Sequence, residues 1–117
     1  MTTQNSYSLT NRQQLVDLNG EMTNFNLTFT VTSKKNESFD VLVVDQTTLD
    51  NQPKLDFKRA NGTISGNIIA DKNVYQNYFL CLKADKPCDV NVTIDLKEIP
   101  PQPQQPPQQQ IQQSQSI

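Results

Sequence analysis

The chain has 117 residues, 34% of them apolar, a formal net charge of −2 and a pI near 4.9; that is room for one small core. Ten Lys/Arg lie scattered among twelve Asp/Glu, so no basic stripe exists to neutralise a run of phosphates, and nucleic-acid binding is not expected. Histidine is absent, which removes the usual triads, zinc-activated water and the commonest general base, so the chain is expected to be no enzyme and to carry no cofactor or metal.

Met1-Thr-Thr-Gln-Asn-Ser-Tyr7 holds neither a basic n-region nor an apolar h-region, and residues 1–13 are expected as a flexible N-terminal arm. No later stretch approaches bilayer length, so no membrane insertion is expected. Residues 14–18 read as a weak edge strand closed by Asn19-Gly20, a dipeptide suited to a turn with positive φ. Residues 22–32 then alternate: Phe25, Leu27, Phe29 and Val31 are apolar, and Asn24, Asn26, Thr28, Thr30 and Thr32 are small and polar. A period of two puts one face in a core and one in water. After the polar turn at residues 33–37, the β-branched run of residues 39–44 suggests a strand buried on both faces and a central hairpin with its predecessor.

Residues 45–53 read as a loop whose apolar anchor is Leu49. Asn61-Gly62 between residues 55–60 and 63–69 is the signature of a two-residue type I′ hairpin. Pairing Ala60 with Thr63 sets Phe57 opposite Gly66 and Leu55 opposite Ile68 on one apolar side. A strand over residues 74–84, a turn at Asp85-Lys-Pro87 and a last alternating strand over residues 88–99 complete about seven strands. The predicted fold is all-β: one antiparallel β-sandwich over residues 14–99, jelly-roll or immunoglobulin-like, followed by an extended Pro/Gln-rich tail over residues 100–117.

Cys81 and Cys88 flank the last turn. A four-residue loop would bring them to diagonal positions on one face, near enough for a disulfide with adjustment. A three-residue loop gathers Tyr78, Leu80 and Leu82 with Val90, Val92 and Ile94 and turns Cys81 away; it buries more apolar area and is favoured, leaving two free thiols. Without histidine the two cysteines do not complete a zinc site. The acids Asp45, Asp50, Asp56, Asp71 and Asp85 sit mostly at strand ends, where turn capping and solvation account for them, and no loop has EF-hand spacing. Sequons occur at Asn26, Asn36, Asn61 and Asn91 in a chain rich in Asn and Thr, where such triplets arise by chance.

The tail carries no charge and cannot build a core. It serves either as a solubilising linker or as an arm lying along a neighbouring subunit. In the second case Pro100, Pro101, Pro103, Pro106 and Pro107 limit the entropy lost on ordering, and Ile111 and Ile117 are small anchors.

The segments Phe39-Asp-Val-Leu-Val-Val-Asp-Gln-Thr-Thr-Leu-Asp50 and Tyr75-Gln-Asn-Tyr-Phe-Leu-Cys-Leu-Lys-Ala-Asp-Lys-Pro-Cys88, with the Asn/Thr-rich outer faces and low-complexity arm, resemble the small β-sandwich minor capsid and decoration proteins of icosahedral double-stranded DNA viruses. The resemblance spans residues 15–99. It implies a structural role in a virion, cementing neighbouring coat subunits, with other coat or assembly proteins as partners and homo-oligomers as a further option. It supplies no catalytic residues. Two other readings stand beside it: a sugar- or protein-binding adhesin-like module, and a cytoplasmic adaptor whose tail is a Pro-rich ligand, although no Arg or Lys accompanies the prolines to set orientation.

Overall fold

A computed structural model of the chain describes residues 1–103. The alternating residues Phe25, Leu27, Phe29 and Val31 are each 5% exposed or less, as are Val90 and Val92, and all lie in one apolar core. Their neighbours Asn26, Thr28 and Thr32 face water. In chain order the elements are β1 (Thr2–Leu9), β2 (Gln14–Asp17), β3 (Phe25–Ser33), β4 (Ser38–Asp45), α1 (Gln46–Asn51), β5 (Lys58–Asn61), β6 (Thr63–Ala70), β7 (Tyr78–Lys83) and β8 (Cys88–Glu98).

Among the described residues the strands form two four-stranded antiparallel sheets, ordered β1-β8-β3-β6 and β2-β7-β4-β5. Both sheets turn apolar residues into the same core: Leu27, Phe29, Val31, Val90 and Val92 from the first, Val16, Phe39, Val41, Leu80 and Leu82 from the second. The fold is all-β and consistent with a sandwich, with eight strands rather than about seven. The extra strand is β1, where a flexible arm was expected. Its eight residues pair with β8 from Thr2 opposite Asp95 to Leu9 opposite Cys88, and Leu9 is buried in the core. The polar sequence Thr-Thr-Gln-Asn-Ser hid it, because an edge strand can be held by main-chain bonds alone.

The three expected hairpins are not formed. Chain neighbours β3 and β4, β5 and β6, and β7 and β8 lie in opposite sheets, so the turns between them are corners that carry the chain across the core. β6 pairs with β3, which sets Phe29, not Phe57, opposite Gly66. Phe57 is half-buried outside the core, with the Lys83 ammonium 4.5 Å above its ring. At the Asn61-Gly62 corner Gly62 alone has positive φ, +87°, whereas a type I′ turn needs two such residues. Ser33 N–H donates to the Gly62 carbonyl (2.7 Å) and Gly62 N–H to the Glu37 carbonyl (3.1 Å), tying two corners together.

Other local readings hold. The edge position of β2 and the turn at Asn19-Gly20 are present, with Gly20 at φ +56° and Met22 N–H bonded to the Asn19 carbonyl. β4 buries Phe39 and Val41 inside and Val44 outside. Cys81 and Cys88 are free and buried. Within residues 45–53, read as loop, α1 forms because Asp45 caps it, its carboxylate accepting from Thr48 N–H at 2.7 Å.

Candidate interaction surface

Four strand edges are left without a partner among the described residues, and the two sheets treat theirs differently. β2 and β5 are four residues each and carry charge, Asp17 on one and Lys58 and Arg59 on the other. Short, charged edges discourage pairing with foreign strands. Arg59 also bonds Asp40 (2.7 Å) and Asp85 (3.1 Å), and the hydrogen bond to Asp40 raises its already high pKa further. β1 and β6 are eight residues each, without charge or proline. Such edges accept a further strand.

The two outer faces also differ. On the first sheet hydroxyls and amides join across strands: Ser6 donates to Asn91 (2.6 Å), Ser8 to Asp89 (2.8 Å) and Asn67 to Asn26 (2.9 Å), while Thr30 and Ser65 lie 3.0 Å apart. These polar groups satisfy one another, and cross-strand pairs of this kind stabilise a sheet. The outer face of the second sheet is apolar at Leu15, Leu42, Val44 and Cys81, whose partners in register are one another or Phe79. Cys81 is fully buried there, and desolvation raises its thiol pKa. Leu15 remains 43% exposed.

The tail leaves the domain at a site that sequence reasoning missed. Asn24, 4% exposed, and Asn73 bond reciprocally: Asn24 Nδ2 donates to Asn73 Oδ1 (2.8 Å), and Asn73 N–H donates to Asn24 Oδ1 (3.0 Å). Asn73 then grips the chain at Gln102 as a strand would, its Nδ2 donating to the Gln102 carbonyl and its Oδ1 accepting from Gln102 N–H, both at 2.9 Å. Asn73 sits at φ +61°, a conformation that asparagine tolerates better than most residues, and its place after Asp71-Lys72 was the available signal. A cleft of about 480 Å3 lies beside this clamp, lined by Met22, Glu98, Ile99 and Pro101 among others. Of the arm residues singled out in the sequence, Pro100, Pro101 and Pro103 are exposed at this exit. Pro106, Pro107, Ile111 and Ile117 lie outside the described residues. Among the described residues no three metal-ligating side chains cluster, and no helix is long and apolar enough to cross a membrane.

The chain is 35% identical over 88 residues to uncharacterized protein 234R of Invertebrate iridescent virus 6, a match covering 75% of this chain and 46% of that protein. Over 111 residues it is 36% identical to uncharacterized protein 073R of Invertebrate iridescent virus 3, covering 94% of this chain and 60% of that protein. Both of these relatives are iridovirus proteins. The chain spans about half the length of one iridovirus relative and three fifths of the other. No protein-family model and no solved structure matches it.

Proposed function

We propose that the chain is a non-enzymatic structural module of an iridovirus particle, a minor capsid or decoration component that binds neighbouring coat subunits. The observation that carries the reading is the strand pairing. β1 pairs with β8, β2 with β7, β3 with β6 and β4 with β5. This nesting is the winding of a jelly roll, a fold that builds viral capsid domains, and the two relatives that the chain matches come from iridoviruses. The open edges of β1 and β6 and the clamped exit of an uncharged arm offer main-chain contacts to subunits beside it.

The same winding also builds lectin domains. A sugar-binding module would present aromatic rings on an exposed face. Here the exposed tyrosine, Tyr75, has its hydroxyl committed to the Gly20 carbonyl. The test is quantitative mass spectrometry of purified particles before and after detergent stripping of lipid. The expected result is a fixed stoichiometry with the major coat protein that survives stripping. Absence from the particles, or loss with the lipid, overturns the reading.

A further inference from the structure

We propose that two copies of the chain join β6 to β6, antiparallel about a two-fold axis at Gly66, an inference that rests on the structural role above and names one of its contacts. β6 runs eight residues without charge or proline. Its inward residues Ile64, Gly66, Ile68 and Ala70 stay half-exposed, whereas those of β3 are almost wholly buried. One more strand beyond β6 would cover them. The other long edge lacks this need: the inward positions of β1 include Thr3 and Asn5, both exposed and polar.

Main-chain directions fix the register. Ser33 N–H donates to the Gly62 carbonyl on one side of β3 and Lys34 N–H to the Asp89 carbonyl on the other, so odd residues of β3 bond toward β6 and even ones toward β8. Ile64, Gly66 and Ile68 therefore bond to β3, and the N–H and C=O groups of Thr63, Ser65, Asn67 and Ile69 point out of the open edge. A second β6 centred on Gly66 sets Ser65 opposite Asn67 and Thr63 opposite Ile69. All four residues of each copy are then paired, in about eight main-chain bonds. Moving the axis to Ser65 sets Ile69 opposite Asn61, and moving it to Asn67 sets Thr63 opposite Asp71, each beyond the end of the strand.

The side chains select the same edge of a second copy. Ile64-Ser-Gly-Asn-Ile68 is symmetric in character about its glycine, so the register that completes the bonds also sets Ile64 of each copy opposite Ile68 of the other on the core side. These are the closer, non-hydrogen-bonded pairs, with Cα atoms about 4.5 Å apart, and each isoleucine covers the other. At the axis glycine meets glycine, and the Phe29 ring of each copy already fills the space beneath its own Gly66. A two-fold contact sets residues near the axis against their own copies, so a single charge there would repel itself. β6 has none.

The test is sedimentation of the full chain over a concentration series, with hydrogen exchange read amide by amide. A dimer and no larger species is expected, because a two-fold contact closes on itself, with Kd between about 10 μM and 1 mM for so small a contact. Protection should rise with concentration at the amides of Thr63, Ser65, Asn67 and Ile69 and stay unchanged in β1. Ser65→Pro removes a donor that faces outward in the monomer, so the chain should keep its melting curve and lose the dimer. Ser65→Glu and Ser65→Lys should each weaken association about tenfold or more, and mixing the two should restore it, because position 65 of one copy lies diagonally across from position 65 of the other. A monomer at every concentration, a dimer that survives Ser65→Pro, concentration-dependent protection of β1, or charge variants that fail to rescue each other overturns the proposal. A monomer found in stripped particles removes this contact and leaves the structural role standing; a dimer absent from particles removes the role and leaves the contact.

Discussion

At the scale of single residues the packing is specific where β6 crosses β3. Gly66 lies opposite Phe29, and a Cβ added there would meet the ring edge. Gly66→Ala should cost about 1–3 kcal/mol by overpacking, and Phe29→Ala about 3–5 kcal/mol by leaving a cavity. Because the two share one space, Gly66→Ala combined with Phe29→Leu should cost less than the sum of the two single changes in urea titrations. Cys81 supplies a pH prediction. Burial lifts its thiol pKa above the ordinary value, so the folded state holds the proton more tightly than the unfolded one. The contribution is intact below the unfolded pKa of about 8.5 and is lost as pH rises toward the folded value. Unfolding free energy should therefore fall with pH above about 8.5, and Cys81→Ala should flatten that limb. Buried Asn19 is another residue-level determinant: its Nδ2 donates to the Met22 and Gln76 carbonyls and its Oδ1 accepts from Tyr78 N–H. Asn19→Ala would orphan these groups, at about 1–3 kcal/mol in a chemical melt.

At the scale of elements the corners decide the fold. Gly62, at φ +87°, has the Asn36 side chain against the position a Cβ would take. Gly62→Val should cost about 1–3 kcal/mol, which for a domain of this size lowers Tm by several degrees. A value-neutral melt would mean that the corner can be made another way. Seven of the eight strands were legible from the pattern of apolar residues, with ends within about four residues of those observed; β1 was not. Which strand each of them pairs with was not. An Asn-Gly between two apolar runs signals a reversal of direction, but whether the second run returns in the same sheet or crosses to the other depends on which surface needs cover. That surface is built by residues far away in the chain, as when β6 finds β3 across more than thirty residues.

For the whole molecule the nested order gives every pairing except β4 with β5 a long reach, up to the 93 residues between Thr2 and Asp95. Loop closure on that scale makes folding slow, in milliseconds to seconds by stopped-flow, despite the small size of the domain. β1 is integral in the same sense: deleting residues 1–9 removes Leu9 from the core and bares β8, and the cooperative thermal transition should be lost. The sequence by itself determined that the chain is all-β and which residues face inward along β3 and β8, because alternation is local. Only the tertiary structure decided that β1 is a strand, that the turns are corners between sheets, and that Asn73 clamps the exit of the arm. Those outcomes depend on main-chain hydrogen bonds and amide pairs between residues distant in sequence, and a polar stretch such as Thr-Thr-Gln-Asn-Ser carries no period from which they could be read.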